Sequence, residues 1–128
     1  GLHVVVPIRP SHDWDAVSHF AEVMVHALVR GAPREFVATM SKAARKDRIF
    51  VDRFRNAKGA TAVLPYSPRI REGLTVATPV PWRDLARVDP RELTIATVPR
   101  IVARRRADPW ADLLELDQTL PRRLEDVA

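Results

Sequence analysis

A single acidic residue, Asp52, lies inside an apolar run from Ile49 to Phe54, in a region otherwise rich in arginine and lysine. Burying a carboxylate is costly unless it is paired with a cation or bound to a metal. Mg²⁺ and Mn²⁺ prefer hard oxygen ligands, usually one or two carboxylates together with substrate phosphates. Asp52 is therefore either a metal ligand or the partner of a neighbouring arginine, and the spacing alone leaves both readings open.

The residues that follow Asp52 favour phosphate binding. Arg55, Asn56 and Lys58 come directly after it, and Arg69 lies further along the chain. Arginine grips phosphate oxygens through two parallel hydrogen bonds, so such a group beside a metal carboxylate suits a nucleoside triphosphate. The four glycines are scattered and form no Walker or dinucleotide-binding loop. We therefore expect side chains, not a glycine-rich loop, to hold the phosphates.

One carboxylate is a poor metal site, because a two-metal phosphoryl-transfer centre needs carboxylates that bridge the ions. The apolar runs contain no Asp-x-Asp pair, and three histidines recur at seven-residue steps, at His12, His19 and His26. Seven residues span about 10.5 Å of helix, too far for two of them to share an ion, so we expect these side chains to be solvent-facing or half-buried. His3 opens an apolar run. The surrounding sequence alone favours a histidine buried in the core over one whose side chain faces a cleft.

Positive charge is concentrated in one short region. Residues 41–58 contain seven basic and two acidic residues, whereas the rest of the chain is balanced and the whole carries +5. Such a surface suits a polyanion such as nucleic acid, and a merely solvated basic face is the alternative. The chain has no cysteine, which excludes structural disulfides, and no apolar stretch approaches the ~20 residues of a membrane-spanning helix.

The apolar run around Asp52 predicts a β-strand over Ile49 to Phe54. In a strand Asp52 would share one face with Phe50 and Phe54, so we expect its charge to meet an apolar layer. Asn56 to Gly59 predicts a turn after this strand. The other predicted strands, the first of them buried, are His3 to Ile8, Ala60 to Leu64 and Leu74 to Val80.

Apolar residues at three- and four-residue steps predict a helix between Ser11 and Pro33, capped by Asp13 or Ser11 and ended by a left-handed turn at Gly31. Residues 34–47 are ambiguous, and their basic second half resembles a loop. Shorter helices are predicted over 82–87 with Pro81 in the first turn, over 90–106 with Pro99 as an interruption, and near the C-terminus before a polar tail. The order of elements indicates an α/β (α+β) fold, with a mixed sheet, packed helices and a helical C-terminal tail.

Three stretches carry a resemblance to a known family. They are GLHVVVPI at 1–8, FVATMSKAARKDRIFVDRFRNAKGATAVLPYSPR at 36–69, and VATPVPWRDL followed by DPREL and DPWADLL. In this order they resemble the C-terminal half of the polymerase domain of bacterial DNA ligase D, in the archaeo-eukaryotic primase superfamily. IFVDRFRN followed by GATAV is the most specific part. The resemblance implies the RRM-like half of a primase-type polymerase fold.

The resemblance also implies a role for individual residues. His3 matches a histidine that contacts the triphosphate of the incoming nucleotide, and Asp52 matches the third metal-binding carboxylate, so both are expected at the catalytic centre. Arg55 and Arg69 match basic residues near the nucleotide phosphates, and we expect Asn56 to bind nucleotide beside them. Residues 41–46, the basic loop, match a mobile loop that meets the primer or template strand through Lys42, Arg45 and Lys46, with Arg45 the strongest candidate.

Members of this family are DNA-dependent polymerases that fill gaps and extend ends in bacterial non-homologous end joining, often with ribonucleotides and with Mn²⁺ or Mg²⁺. The resemblance therefore implies primer–template DNA ends and a nucleoside triphosphate as ligands. It further implies a ligase domain and Ku as partners, and a cytoplasmic, nucleoid-associated location without a membrane.

The family pattern places an Asp-x-Asp pair on a strand before GLH, and residues 1–128 do not contain that strand. We therefore interpret residues 1–128 as the C-terminal part of a primase-like polymerase domain, with an incomplete metal site. The leading hypothesis is part of a DNA-dependent nucleotidyltransferase that is inactive as an isolated chain. The alternatives are a non-catalytic DNA-binding module and a degenerate remnant without polymerase activity.

Overall fold

The longest element of the computed structural model, which describes residues 1–121, is helix α1, Trp14–Gly31. Its N-cap is Asp13, whose side chain accepts a 2.8 Å hydrogen bond from the Ala16 N–H. Of the two predicted caps, Asp13 is therefore confirmed. The predicted left-handed turn at Gly31 is wrong. Gly31 is the last helical residue, and the chain leaves the helix through Ala32 at φ −141°.

A two-stranded parallel sheet packs beside this helix. Strand β1, Phe36–Val37, pairs with strand β2, Ile49–Phe50, and the ladder continues where the Val51 N–H donates to the Val37 carbonyl at 3.0 Å. Helix α1 contacts β1, and each of the two elements contains a buried apolar residue, Val25 in α1 and Val37 in β1. The segment that was ambiguous in the sequence thus supplies the first strand, and its basic second half forms turns.

The predicted strand over Ile49 to Phe54 ends after two residues, and the reason lies in Asp52 itself. Its Oδ1 accepts a 2.9 Å hydrogen bond from the Phe54 N–H, which gives the backbone a local partner in place of a neighbouring strand. The side chain of Asp52 is 39% exposed, so the expectation that it meets an apolar layer is wrong. The predicted turn follows at 56–59, with Gly59 at φ 78°.

The chain divides into two compact units. The helix–sheet unit comprises residues 8–61 and 118–121, and it contains α1, β1 and β2. The hairpin unit comprises residues 1–7 and 62–117. In the latter, the segments around Pro68 and Val76 form an antiparallel bridge, Thr75 forms another with Thr94, and the buried apolar residues are Val76 and Val98. Each unit therefore has a small core of its own.

Three predicted strands of the hairpin unit and its borders are largely missing. His3 to Ile8 forms no strand and residues 3–6 are exposed, which corrects the prediction of a buried strand. A strand needs a ladder of backbone hydrogen bonds with a neighbour, and within residues 1–121 no such ladder reaches this run. Ala60 to Leu64 is likewise not a strand, and Leu74 to Val80 pairs only through isolated bridges.

Proline sets the starts of the shorter helices. The predicted helix over Trp82–Arg87 forms as a 3-10 helix, with Pro81 as its N-cap. Helix α2, Val98–Ala103, has Pro99 in its first turn, where a missing N–H costs nothing, so Pro99 begins this helix instead of interrupting one. The predicted C-terminal helix is reduced to the 3-10 turn Leu113–Glu115, and residues 122–128 of the predicted tail lie outside the described residues.

Helices together with a small parallel sheet confirm a mixed α and β fold. Over residues 1–121 no helix combines the length and the apolar character that crossing a membrane requires.

Candidate functional site

Asp52 lies at the surface of the helix–sheet unit, directly after β2. Its Oδ1 accepts from the Phe54 N–H, and its Oδ2 lies 3.6 Å from the Nε of Arg55. The Arg55 side chain is 62% exposed, and an ion pair this long and this exposed is worth well under ~1 kcal/mol. Both readings that the sequence left open thus have some support. The arginine is close, yet the carboxylate remains accessible to a cation from solvent.

The donor chemistry of Asp52 fits a hard divalent cation such as Mg²⁺ or Mn²⁺, because an exposed carboxylate oxygen keeps lone pairs that the Arg55 contact does not use. Within residues 1–121 no three His, Cys, Asp or Glu side chains come together in a group that could hold a metal. Asp52 therefore offers one ligand.

The two residues predicted to bind nucleotide beside Asp52 differ in the exposure and hydrogen bonding of their side chains. Arg55 is exposed, and within residues 1–121 its guanidinium makes a long 3.4 Å contact with the Thr61 carbonyl besides that with Asp52. Asn56 is half-buried, and its Nδ2 donates to the Arg53 carbonyl at 3.1 Å. The amide of Asn56 thus closes the local turn, whereas Arg55 is free to bind phosphate.

The basic loop forms consecutive turns in the same unit. Lys42 and Lys46 are exposed, whereas Arg45 is half-buried with its Cζ 5.4 Å from the centre of the Phe50 ring. An arginine whose cation lies over an aromatic ring still has N–H groups that can bind phosphate oxygens. Since Phe50 belongs to β2, this stacking ties the basic loop to the strand that leads into Asp52.

The remaining predicted site residues, His3 and Arg69, belong to the hairpin unit. His3 is exposed in the N-terminal run, and Arg69 is half-buried in the hairpin, where its N–H donates to the Thr75 carbonyl at 2.8 Å. Three other histidines are exposed, as expected, namely His12, His19 and His26.

A polar network in the hairpin unit escaped the sequence-based interpretation. The Tyr66 hydroxyl donates to the Asp108 carboxylate, and Arg105 donates to the Tyr66 oxygen at 3.0 Å and to the Pro79 carbonyl at 2.8 Å. Tyr66 lies 42 residues from Asp108, so no local pattern reveals the pair. The network joins the hairpin that carries Arg69 to the segment after α2.

The same network gives a prediction for the pH dependence of stability. Burial, followed by the bond to Asp108, raises the pKa of Tyr66, and the hydrogen bond from Tyr66 lowers the pKa of Asp108. The Asp108 contribution is present above about pH 4 and is lost as pH falls through its lowered pKa. The Tyr66 contribution is present below about pH 10 and is lost as pH rises through its raised pKa.

Tyr66→Phe should therefore lower the free energy of unfolding by about 1 kcal/mol or less between pH 5 and 9, with a smaller difference at both extremes. Urea unfolding followed by tryptophan fluorescence across pH 3–11 measures this. Asp108→Ala should reproduce the acid-side change, and a Tyr66→Phe deficit that stays constant over the whole pH range would contradict the assignment.

These features define a class of protein: a mixed α/β domain with an exposed carboxylate, an exposed arginine beside it and a basic loop suited to phosphate-bearing ligands. A family model described as the LigD primase-polymerase domain matches residues 1–110. The chain therefore belongs to the LigD primase-polymerase domain family.

Relatives with curated names agree with this membership. The chain is 38% identical over 114 residues to the multifunctional non-homologous end joining protein LigD of Pseudomonas aeruginosa. This alignment covers 88% of the chain and 14% of the relative. It is 33% identical over 122 residues to the protein of the same name from Mycolicibacterium smegmatis, and this alignment covers 94% of the chain and 15% of the relative. The bifunctional non-homologous end joining protein LigD of Bacillus subtilis is 26% identical over 100 residues, covering 77% and 16%. The chain thus spans about a seventh of the length of these relatives.

Proposed function

We propose that this chain forms part of a DNA-dependent nucleotidyltransferase that extends primers and fills gaps at DNA ends during non-homologous end joining, with ribonucleotides among its substrates. The observation that carries the proposal is the exposed Asp52 carboxylate, beside a free Arg55 and in the same unit as the basic loop, in a chain of the LigD primase-polymerase family. We extend the proposal to an RRM-like, primase-type arrangement of the complete domain.

Each residue has a defined task in this proposal. Asp52 would hold Mn²⁺ or Mg²⁺ together with carboxylates from outside the described residues. Such an ion, when bound, would supply positive charge at the reacting phosphate and would favour loss of the proton from the primer 3′-hydroxyl. Arg55, Arg69 and His3 would bind the triphosphate oxygens, which stabilises the charge that moves to pyrophosphate as the 3′-oxygen bonds to the α-phosphorus. Asn56 would add a contact in which its side-chain carbonyl oxygen accepts from an O–H or N–H of the nucleotide, because its Nδ2 donates to the Arg53 carbonyl.

The basic loop would hold the primer or template strand through its phosphates. Its exposed Lys42 and Lys46 supply diffuse attraction, and Arg45, fixed against Phe50, supplies directed hydrogen bonds. A ligase domain and Ku are the protein partners that the proposal includes, in the bacterial cytoplasm at the nucleoid. The names of the relatives, multifunctional or bifunctional non-homologous end joining proteins, support a role in end joining.

Primer extension by the expressed gene product tests the proposal. A recessed DNA end, ribonucleoside triphosphates and Mn²⁺ should give templated extension that stops when a chelator removes the metal.

A second candidate, a DNA-binding module without polymerase activity, is favoured by the basic loop and by the single carboxylate. It predicts salt-sensitive DNA binding that is independent of metal and nucleotide, with no extension under any condition.

A further inference from the structure

Asp52 lies between two residues that are anchored to the rest of the helix–sheet unit. On one side, the Val51 N–H donates to the Val37 carbonyl at 3.0 Å. On the other side, the Nη2 of Arg53 lies 2.8 Å from the Oε1 of Glu22, which belongs to α1. The Arg53 side chain is 28% exposed, and its Cζ lies 5.0 Å from the centre of the Phe54 ring. Arg53 is therefore held by α1 and by its neighbour in sequence.

Arg53 is also the basic residue directly adjacent to Asp52. Its guanidinium could therefore compete with a metal ion for the Asp52 carboxylate. An arginine can reach an adjacent aspartate in this chain, since the Nε of Arg83 lies 3.9 Å from the Oδ2 of Asp84. Arg83 and Asp84 lie in the 3-10 helix Trp82–Arg87, so this pair shows that an arginine side chain is long enough to reach an adjacent carboxylate, and an unrestrained Arg53 has that reach. In the structure its guanidinium is instead directed to Glu22, and the polar contacts of Asp52 within residues 1–121 are those with Phe54 and Arg55.

We propose that Glu22 is a positioning residue that keeps Arg53 away from Asp52 and so leaves the Asp52 carboxylate open to a divalent metal ion. The inference rests on the proposed metal role of Asp52. Glu22 neither touches Asp52 nor holds the metal, and it acts through Arg53. Its effect must therefore depend on whether Arg53 is present.

A double-mutant cycle in the 128-residue chain tests this dependence. Paramagnetic Mn²⁺ broadens the amide signals of residues near its binding site, so the broadening at Phe54 and Arg55 reports Mn²⁺ at Asp52. Glu22→Gln should raise the Mn²⁺ concentration needed for half-maximal broadening by about twofold to fivefold, which is the bias that a partly exposed ion pair exerts. In the Arg53→Gln background, Glu22→Gln should have no effect.

The cycle separates positioning from simple electrostatics. If Glu22 acted only as a distant negative charge, Glu22→Gln would weaken Mn²⁺ binding equally with and without Arg53, and that result would overturn the inference. His26→Gln is the matched control, because the His26 Nε2 lies 4.0 Å from the same Glu22 oxygen while the Arg53 contact is unaffected. This control should leave Mn²⁺ broadening unchanged.

A metal-free measurement distinguishes failure of this inference from failure of the proposed metal role. In the metal-free chain at neutral pH, the Asp52 side-chain carboxyl ¹³C signal should shift in Glu22→Gln relative to the wild type, because the released Arg53 approaches the carboxylate. The double variant should lack this shift relative to Arg53→Gln. Mn²⁺ broadening at Phe54 and Arg55 that persists in Asp52→Asn would reject the metal role, and an unchanged Asp52 carboxyl signal in Glu22→Gln would reject the positioning role.

Discussion

Asp52→Asn is expected to reduce primer extension by the expressed gene product at least about a hundredfold, because it removes the charge of a metal-binding carboxylate. Asparagine keeps an oxygen at the position that accepts the Phe54 N–H, so the local turn should persist. The loss would then come from the missing negative charge and not from unfolding. Initial rates of extension at saturating nucleotide, measured over a range of Mn²⁺ concentrations, give the size of the effect.

Asp47→Asn is the matched control for this prediction. It removes the same charge from the same basic region, and asparagine tolerates the left-handed backbone of Asp47, at φ 58°. Extension by this variant should stay within about twofold of the wild type, since Asp47 makes no part of the proposed metal site. Equal losses in the two variants would show that general charge, not metal binding, explains the effect.

Removing the positive charges of the basic loop is expected to have the second large effect. Each phosphate contact contributes about −0.9 to the slope of log K against log salt concentration for duplex DNA. The triple variant Lys42→Gln/Arg45→Gln/Lys46→Gln should therefore reduce the magnitude of that slope by up to about 2.7. Fluorescence anisotropy of a labelled primer–template at several salt concentrations measures it.

A second triple variant with the same change in net charge controls for non-specific attraction. Arg87, Arg100 and Arg104 are exposed and lie outside residues 41–58, so their replacement by glutamine should change the slope far less. Arg45 also stacks on Phe50, and circular dichroism should confirm that the loop variant remains folded. Equal slopes for the two triple variants would contradict a specific role of the basic loop.

The helix could be predicted because its signals are local. The apolar spacing of α1 and the cap at Asp13 depend on residues within one or two turns of each other, so both were recognised in the sequence. The end at Gly31 and the role of Pro99 were misjudged, since either residue permits more than one local geometry. Pro99 fits the first turn of a helix as well as a break between two.

The strands and the polar network depend on partners that are distant in sequence. His3 to Ile8 has the composition of a strand, but pairing requires a neighbour that composition does not reveal. Alternation around Asp52 suggested a buried face, yet its carboxylate accepts a local N–H and ends β2 early. The chemistry of Asp52 was therefore recognisable from its residue type, whereas its exposure and the restraint of Arg53 by Glu22 required the structure.

The location of Mn²⁺ relative to Asp52 tests the central claim most directly. Crystals of the expressed gene product, soaked with MnCl₂ and a nucleoside triphosphate, allow the ion to be placed by its anomalous scattering. The account predicts a peak within about 2.0–2.3 Å of a carboxylate oxygen of Asp52, with the triphosphate oxygens as further ligands. An ordered Mn²⁺–triphosphate complex whose ions lie away from Asp52 would contradict it.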